Sequence, residues 1–210
     1  MSAAPLYVRH GKRAFDTLAA SVAILLLWPF AACLAALIWY CVGSPVLFRQ
    51  RRPGLHGVPF TLMKFRSMAD RYDASGRLLP DADRLTGVGR FLRAASLDEI
   101  PELWHVLTGE MSLVGPRPLL MEYLPLYTPQ QARRHEVRPG ITGLAQVNGR
   151  NGLEWAERFE LDLEYVKHCS LALDLRILAR TAWTVLSRRG IAQPGCATVD
   201  YFRGNSASHG

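Results

Sequence analysis

The chain lacks the short motifs of several common active sites. Its 210 residues contain no Gly-x-x-x-x-Gly-Lys-Ser/Thr loop, no Gly-x-Gly-x-x-Gly, no His-Glu-x-x-His and no Gly-x-Ser-x-Gly. These absences argue against a P-loop enzyme, a dinucleotide-binding dehydrogenase, a zincin and a serine hydrolase. Cysteine is scarce: Cys33, Cys41, Cys169 and Cys196, none in a Cys-x-x-Cys pair. Neither a disulfide framework nor a zinc site is expected, and a reducing setting suits the soluble part. Charged residues make up only 20% and apolar ones 49%. That balance excludes a disordered chain and permits a sizeable core. No internal repeat is present.

Acidic residues are outnumbered. Against 25 Lys and Arg stand 18 Asp and Glu, a net charge of +7. The excess implies an acidic partner: nucleic acid, an anionic membrane surface or a polyphosphate substrate. A membrane-tethered nucleic-acid binder is the rival that charge alone suggests. Its aromatic stacking platform or basic helix is not visible, so no nucleic-acid partner is expected.

From Thr17 to Phe48 no side chain is charged, and residues 19–42 are nearly all aliphatic or aromatic. The run is too long for a cleaved signal peptide, which favours membrane insertion. Pro29 divides it, and a proline removes a helix hydrogen bond and kinks the axis. Each half would rise only about 18–20 Å as helix, short of a hydrocarbon core of about 30 Å. Arg9, Lys12 and Arg13 precede the run; Arg49, Arg51, Arg52, Lys64 and Arg66 follow it before the first acid at Asp70. Basic flanks on both sides place both in the cytoplasm. A re-entrant helix hairpin broken at Pro29 satisfies these features; a single spanning helix is the alternative.

Beyond the run, Val46–Arg52 and Phe60–Arg66 read as strands joined by a Pro- and Gly-rich turn. Residues 69–86 read as a surface loop, and Gly87–Ala95 as a short basic helix. Pro101–Leu107 reads as a helix stopped near Gly109. Ser112–Pro118 and Pro139–Gly152 read as loops, with a polar helical turn at Pro129–Glu136. Trp155, Phe159, Leu163 and Val166 mark the core face of one helix; Leu175, Leu178, Ala182 and Leu186 mark another.

Chemistry is best placed at Ser96-Leu97-Asp98-Glu99-Ile100-Pro101. Two adjacent carboxylates precede a helix that Pro101 would open, where free amide groups suit a phosphate. Asp98 could ligate Mg²⁺ or attack phosphorus. The same residues also match a Ser-x-x-Glu capping box, a purely structural alternative. Arg117 stands in a stiff Gly-Pro-Arg-Pro turn suited to a forked phosphate grip. Lys64, Arg66, Arg90, Arg93, Arg134, His135 and Arg138 add basic character, and Gly140 and Gly143 would permit close backbone approach.

These motifs together resemble the bacterial sugar transferase family, small monotopic phosphoglycosyl transferases that begin glycan assembly on polyprenyl phosphate. The matching stretches are Lys12-Arg13-x-Phe15-Asp16, Arg52-Pro53-Gly54, Lys64-Phe65-Arg66-Ser67-Met68, Ser96-Leu97-Asp98-Glu99, Leu113-Val114-Gly115-Pro116-Arg117-Pro118 and the run from Val137 to Arg150. Close relatives often place Ser before the membrane proline; Trp28 stands there in this chain.

The resemblance implies a fold that is α+β and mostly helical. It would be a monotopic membrane protein with a re-entrant helix hairpin and a small β-hairpin in its catalytic domain. Residues 1–48 would form the basic flank and membrane helix, 49–202 the cytoplasmic domain and 203–210 a frayed tail. The implied location is the cytoplasmic face of the bacterial inner membrane, against an anionic lipid bilayer. The implied reaction moves a sugar 1-phosphate from a UDP-sugar to undecaprenyl phosphate and releases UMP, the first membrane step of glycan or glycoprotein assembly. A UDP-releasing glycosyltransferase is the nearer rival.

Asp98 and Glu99 would be the catalytic dyad, with Asp98 the nucleophile of a covalent aspartyl intermediate and a ligand of Mg²⁺. Lys64, Arg93, Arg117 and Arg138 would handle phosphate. Gly140, Thr142, Gln146, Asn148 and Arg150 would form a nucleotide-sugar loop. The run Gly195-x-Ala197-Thr198-x-x-x-Phe202-x-Gly204 looks like the branch that uses the N-acetylated amino sugar N,N'-diacetylbacillosamine. A homodimer is compatible with the resemblance.

Overall fold

The apolar run is a single helix, α1, spanning Lys12–Cys41 and continuing through Pro29. A computed structural model describes residue 7 and residues 11–149, 152–187 and 201–204. The expected break into two helical segments is therefore not seen at Pro29. Helix interiors tolerate proline where the freed backbone group finds other partners or the axis adjusts locally. Among the residues near Pro29, Leu25, Leu26, Trp28 and Phe30 are all exposed.

Both ends of α1 nevertheless pack on the same domain. At one end Ala20 joins a core cluster with Phe60, Leu62, Val106 and Met111. At the other, Leu34 and Ile38 cluster with Phe65 and Leu92. Polar contacts fix the first end further. Arg13 donates to the carbonyls of Val106 and Leu107, and Asp16 Oδ1 accepts from the Leu113 amide at 3.2 Å. Lys12 Nζ meets the fully buried Asp174 at 2.7 Å. Tyr7 and Tyr165 also donate to Asp174, at 2.5 and 2.7 Å.

The expected β-hairpin forms from β1 (Leu47–Pro53) and β2 (Pro59–Phe65), antiparallel with Leu47 opposite Phe65 and Pro53 opposite Pro59. Short helices α2 (Asp81–Arg84) and α3 (Gly87–Ala94) follow. Thr86 caps α3 by accepting from the Gly89 amide, and the helix packs so closely that a Cβ on Gly89 would lie 1.8 Å from the Ser67 carbonyl oxygen. Helix α4 (Glu102–Thr108) ends at Gly109, whose φ of 91° is the left-handed stop that glycine favours.

Two segments expected as loops instead contain strands. β3 (Ser112–Val114) pairs in parallel with β4 (Gly140–Thr142). Strands of three residues with flanking Gly and Pro carry too little alternation to be read as strands. Their glycines bring backbone against backbone. A Cβ on Gly140 would lie 2.1 Å from the Gly115 nitrogen, and one on Gly115 would lie 2.4 Å from the Arg138 oxygen.

The chain continues through α5 (Pro129–Ala132), α6 (Leu144–Asn148), α7 (Trp155–His168) and α8 (Leu171–Ser187). Thr128 and Gln131 form the capping box of α5. Val114, Tyr165, Cys169 and Ile177 pack α7 and α8 beneath β3. Phe202 closes an aromatic cluster with Tyr123 and Phe159. Arg150, residues 195–200 of the sugar-branch motif and residues 205–210 of the expected tail lie outside the described residues.

Removing the carboxylate at Asp174 should strand the ammonium of Lys12, whose side chain is only 11% exposed. Asp174→Ala is expected to cost about 3–5 kcal/mol. Chemical unfolding in detergent checks this, and Lys12→Met/Asp174→Leu should recover much of the loss. A loss under about 1 kcal/mol in Asp174→Ala would show that the contact does not hold the helix.

Candidate active site

The dyad lies on a 3₁₀ turn, Leu97–Glu99, between α3 and α4. Ser96 enters the turn with φ 54° and ψ 23°, a left-handed conformation that costs a non-glycine residue roughly 1–2 kcal/mol. Its hydroxyl makes no cap bond, so the Ser-x-x-Glu capping box does not form. Glu99 is engaged elsewhere. The flanking Leu97 and Ile100 pack on the cluster that holds Leu34 and Ile38 of α1. The turn is thereby seated against the apolar helix.

Glu99 Oε1 accepts from Lys64 Nζ and from Arg117 Nη2, both at 2.7 Å. Three separate segments meet at that oxygen: β2, the dyad turn and the Gly115–Pro118 loop. Burial alone would raise the Glu99 pKa; Arg117 and Lys64 outweigh it and hold the carboxyl down at about 2. The Arg117 pKa rises in turn, chiefly through Glu99.

Asp98 contrasts with its neighbour. It is half-buried and makes no hydrogen bond or ion pair among the described residues. Burial, then the Glu99 charge, push its pKa above the ordinary value, while Lys64, Arg117 and Arg93 pull the other way. A carboxylate whose charge is poorly stabilised gives it up readily to an electrophile. Arg93 is itself oriented by a 2.9 Å bond from Nε to Ser67 Oγ.

Two acids behind this group were not singled out from the sequence. Glu102, 2% exposed, brings Oε1 to 2.9 Å from Lys64 Nζ, an ion pair not aligned as a hydrogen bond. Burial pushes Glu102 up to about 7 against the pull of Lys64. Asp162 pairs with Arg134 at 2.6 Å, both side chains 2% exposed. Arg134 also donates to the Arg117 carbonyl at 2.8 Å. Arg134 thus braces the backbone of Arg117. Glu102 follows Glu99 by three residues, a helical spacing that puts two acids on one side; that was the available signal.

The remaining expected site residues are bonded to groups other than the dyad. Arg138 Nε donates to the Gly109 carbonyl at 2.8 Å, at the far end of α4, about 10 Å along that helix. Gly140 serves the β3–β4 crossing, and the Thr142 hydroxyl meets that of Thr181 at 2.7 Å. Gln146 reaches the Ile141 carbonyl, with Oε1 buried and unpartnered among the described residues. Asn148 bonds the Leu144 carbonyl and accepts from Arg180. Arg66 is held by Asp70 and the Ser44 carbonyl. No cluster of three or more His, Cys, Asp or Glu suited to a metal ion occurs among the described residues.

Residues 7–188 match the model of the family described as bacterial sugar transferase. This chain belongs to that family. It is 54% identical to the uncharacterized sugar transferase EpsL of Bacillus subtilis, covering 92% of this chain and 96% of the relative. It is 43% identical to the UDP-glucose:undecaprenyl-phosphate glucose-1-phosphate transferase of Caulobacter vibrioides, covering 84% of this chain and 70% of that protein. It is 38% identical to the undecaprenyl-phosphate galactose phosphotransferase of Salmonella typhimurium, covering 87% of this chain and 42% of that protein.

The Glu102 pKa gives the site a pH signature. Its folded value of about 7 exceeds the ordinary 4.5. The folded state therefore binds more protons between those values, and the stability contribution is lost as pH rises through them. Glu102→Gln should flatten a fall in unfolding free energy between about pH 4.5 and 7. Denaturant midpoints measured across that range test it; parallel curves for the two proteins would contradict the assignment.

Proposed function

We propose that this chain transfers a sugar 1-phosphate from a UDP-sugar to undecaprenyl phosphate and releases UMP. The observation that carries this reading is a carboxylate unpaired among the described residues, Asp98, beside the Lys64–Glu99–Arg117 clamp on a turn seated against the apolar helix. The relatives' names supply the substrate classes: a UDP-sugar and undecaprenyl phosphate for one, undecaprenyl phosphate for the other.

Transfer between two phosphate-bearing substrates sets anions against each other. Two displacements at Asp98 divide the task. In the first, a carboxylate oxygen of Asp98 attacks the β-phosphorus of the UDP-sugar. The bond to the bridging oxygen breaks, and that oxygen leaves with the electron pair in UMP. In the second, a phosphate oxygen of the polyprenyl phosphate attacks the same phosphorus and the Asp98 carboxylate departs. Lys64, Arg117 and Arg93 neutralise phosphate charge, and Glu99 keeps the first two in place.

A magnesium ion fits this donor set. Such ions are held by one or two carboxylates together with substrate phosphates. Glu99 and Glu102 are engaged by cations, which leaves Asp98 as the ligand. When bound, the ion supplies further neutralisation of phosphate charge.

The membrane reading follows from α1. A helix crossing the bilayer once would carry one end away from the domain, whereas both ends of α1 pack on it. A bend at Pro29 within the otherwise continuous α1, with its exposed middle in lipid, would accommodate both anchors on the cytoplasmic side. The finer sugar, N,N'-diacetylbacillosamine, rests on the motif at residues 195–204 alone; the relatives' names carry glucose and galactose.

Two experiments test these readings. Protein with Mg²⁺ and UDP-sugar but no lipid should release about one UMP per active site, and labelled UMP should exchange back into UDP-sugar. Asp98→Asn should abolish both. Full activity in that variant, or UMP release strictly dependent on lipid, rules out the covalent route, and release of UDP would favour an ordinary glycosyltransferase. For topology, Ser2→Cys and Ser75→Cys, placed singly in a background without native cysteines, should both resist an impermeant maleimide in intact spheroplasts. Labelling at residue 2 alone would establish a spanning helix.

A further inference from the structure

Arg52, in the Arg52-Pro53-Gly54 motif near the end of β1, has no part in the chemistry above. In the hairpin register Phe48 lies opposite Lys64, Gln50 opposite Leu62 and Arg52 opposite Phe60. Paired and alternate residues share a face, so Arg52 and Lys64 project to the same side of the hairpin. Four strand residues separate their positions, about 13 Å. The Gly115–Pro118 loop is bonded to both groups: Arg117 meets Glu99 beside Lys64, and Arg52 Nη1 donates to the Pro118 carbonyl at 3.3 Å. The cations thus run in the order Lys64, Arg117, Arg52.

Arg52 differs from its neighbours in what balances it. Lys64 and Arg117 share Glu99, whereas no carboxylate pairs with Arg52 among the described residues. Its partners there are neutral, the Pro118 carbonyl and Gln50 Oε1 at 2.6 Å, and its Nε is buried without a partner among the described residues. Burial, then repulsion from Arg117, push its pKa down to about 10, with Glu102, Tyr123 and Tyr127 countering only in part. A partly buried guanidinium beside a second one, without a counter-ion, is costly unless an anion arrives. Each Nη nitrogen carries a second hydrogen beyond the one already donated, so the fork can still take oxygen acceptors.

We propose that the Arg52 fork, with Arg117, forms a second phosphate seat that takes a substrate phosphate other than the one attacked by Asp98. This rests on the transfer reading above. That reaction brings together three phosphate groups, two in the nucleotide-sugar and one in the lipid. Lys64 and Arg117 stand beside Asp98 for the phosphate under attack. The seat at Arg52 takes either the nucleotide phosphate that departs in UMP or the phosphate of the lipid acceptor.

Calorimetric titration of the full chain in detergent separates these sources, with UMP, undecaprenyl phosphate in micelles, and uridine as the uncharged control. Arg52→Gln should weaken one of the two phosphate probes about ten-fold or more, with uridine unaffected. A change confined to UMP assigns the nucleotide phosphate, and one confined to undecaprenyl phosphate assigns the acceptor. Should Arg52→Gln fail to fold, Arg52→Lys keeps the charge and loses the fork, and should weaken the same probe at least three-fold or so. Wild-type affinity for both probes in a folded variant overturns the seat while the transfer reading stands. Absence of binding of either probe by the wild-type protein overturns both.

Discussion

One carboxylate oxygen organises this site. Glu99 Oε1 lies 2.7 Å from both Lys64 and Arg117, joining a strand, a 3₁₀ turn and a loop that are distant in sequence. Without that shared anion, two partly buried cations would repel each other across the site. With it, they are fixed beside Asp98, and Asp98 is left without a cation of its own among the described residues. The division of labour between adjacent acids thus comes from geometry. Ser96, held in a left-handed conformation, aims the turn so that one acid faces the clamp while the other stays unpaired.

The clamp is braced from outside. Arg134 bonds the Arg117 carbonyl and is itself locked to Asp162 in the interior. Behind Lys64 stands His105, 2% exposed. Its Nε2 must accept from the Met63 amide at 3.0 Å, which leaves Nδ1 to donate to Glu110 at 2.6 Å. The strand carrying Lys64 is therefore pinned to α4 one residue away from the ammonium. Both braces use buried polar contacts that fix position without meeting the reacting groups.

Much of this was legible in the sequence where signals are local. The β-hairpin, the stop of α4 at Gly109 and the burial of Phe159 in α7 follow from alternation, a glycine cap and helical spacing. The stripe read on α8 does not hold, because Leu175 is 49% exposed and the buried face carries Asp174 and Ile177, the first drawn inward by Lys12 and Tyr165. The Asp98–Glu99 pair and the basic residues Lys64 and Arg117 were also legible as types in order. Their joint contact was not, because ion pairing across many residues leaves no periodic trace. Gly140 and Gly143 suggested backbone approach to a ligand, and close approach does occur, but at the Gly115 backbone. A glycine records that something comes near; it does not record what. Arg138 Nε meets the carbonyl at the C-terminus of α4, a contact that residue type alone does not announce.

The contact between Lys12 and Asp174 joins residues 162 positions apart. Synthesis from the N-terminus delivers α1 long before α8 has left the ribosome. The apolar helix therefore emerges while the carboxylate that will anchor its first charged residue does not yet exist. Helix α8 then locks the foot of α1 through Asp174. The contact therefore forms only once α8 is available, so a late-made helix secures an early one.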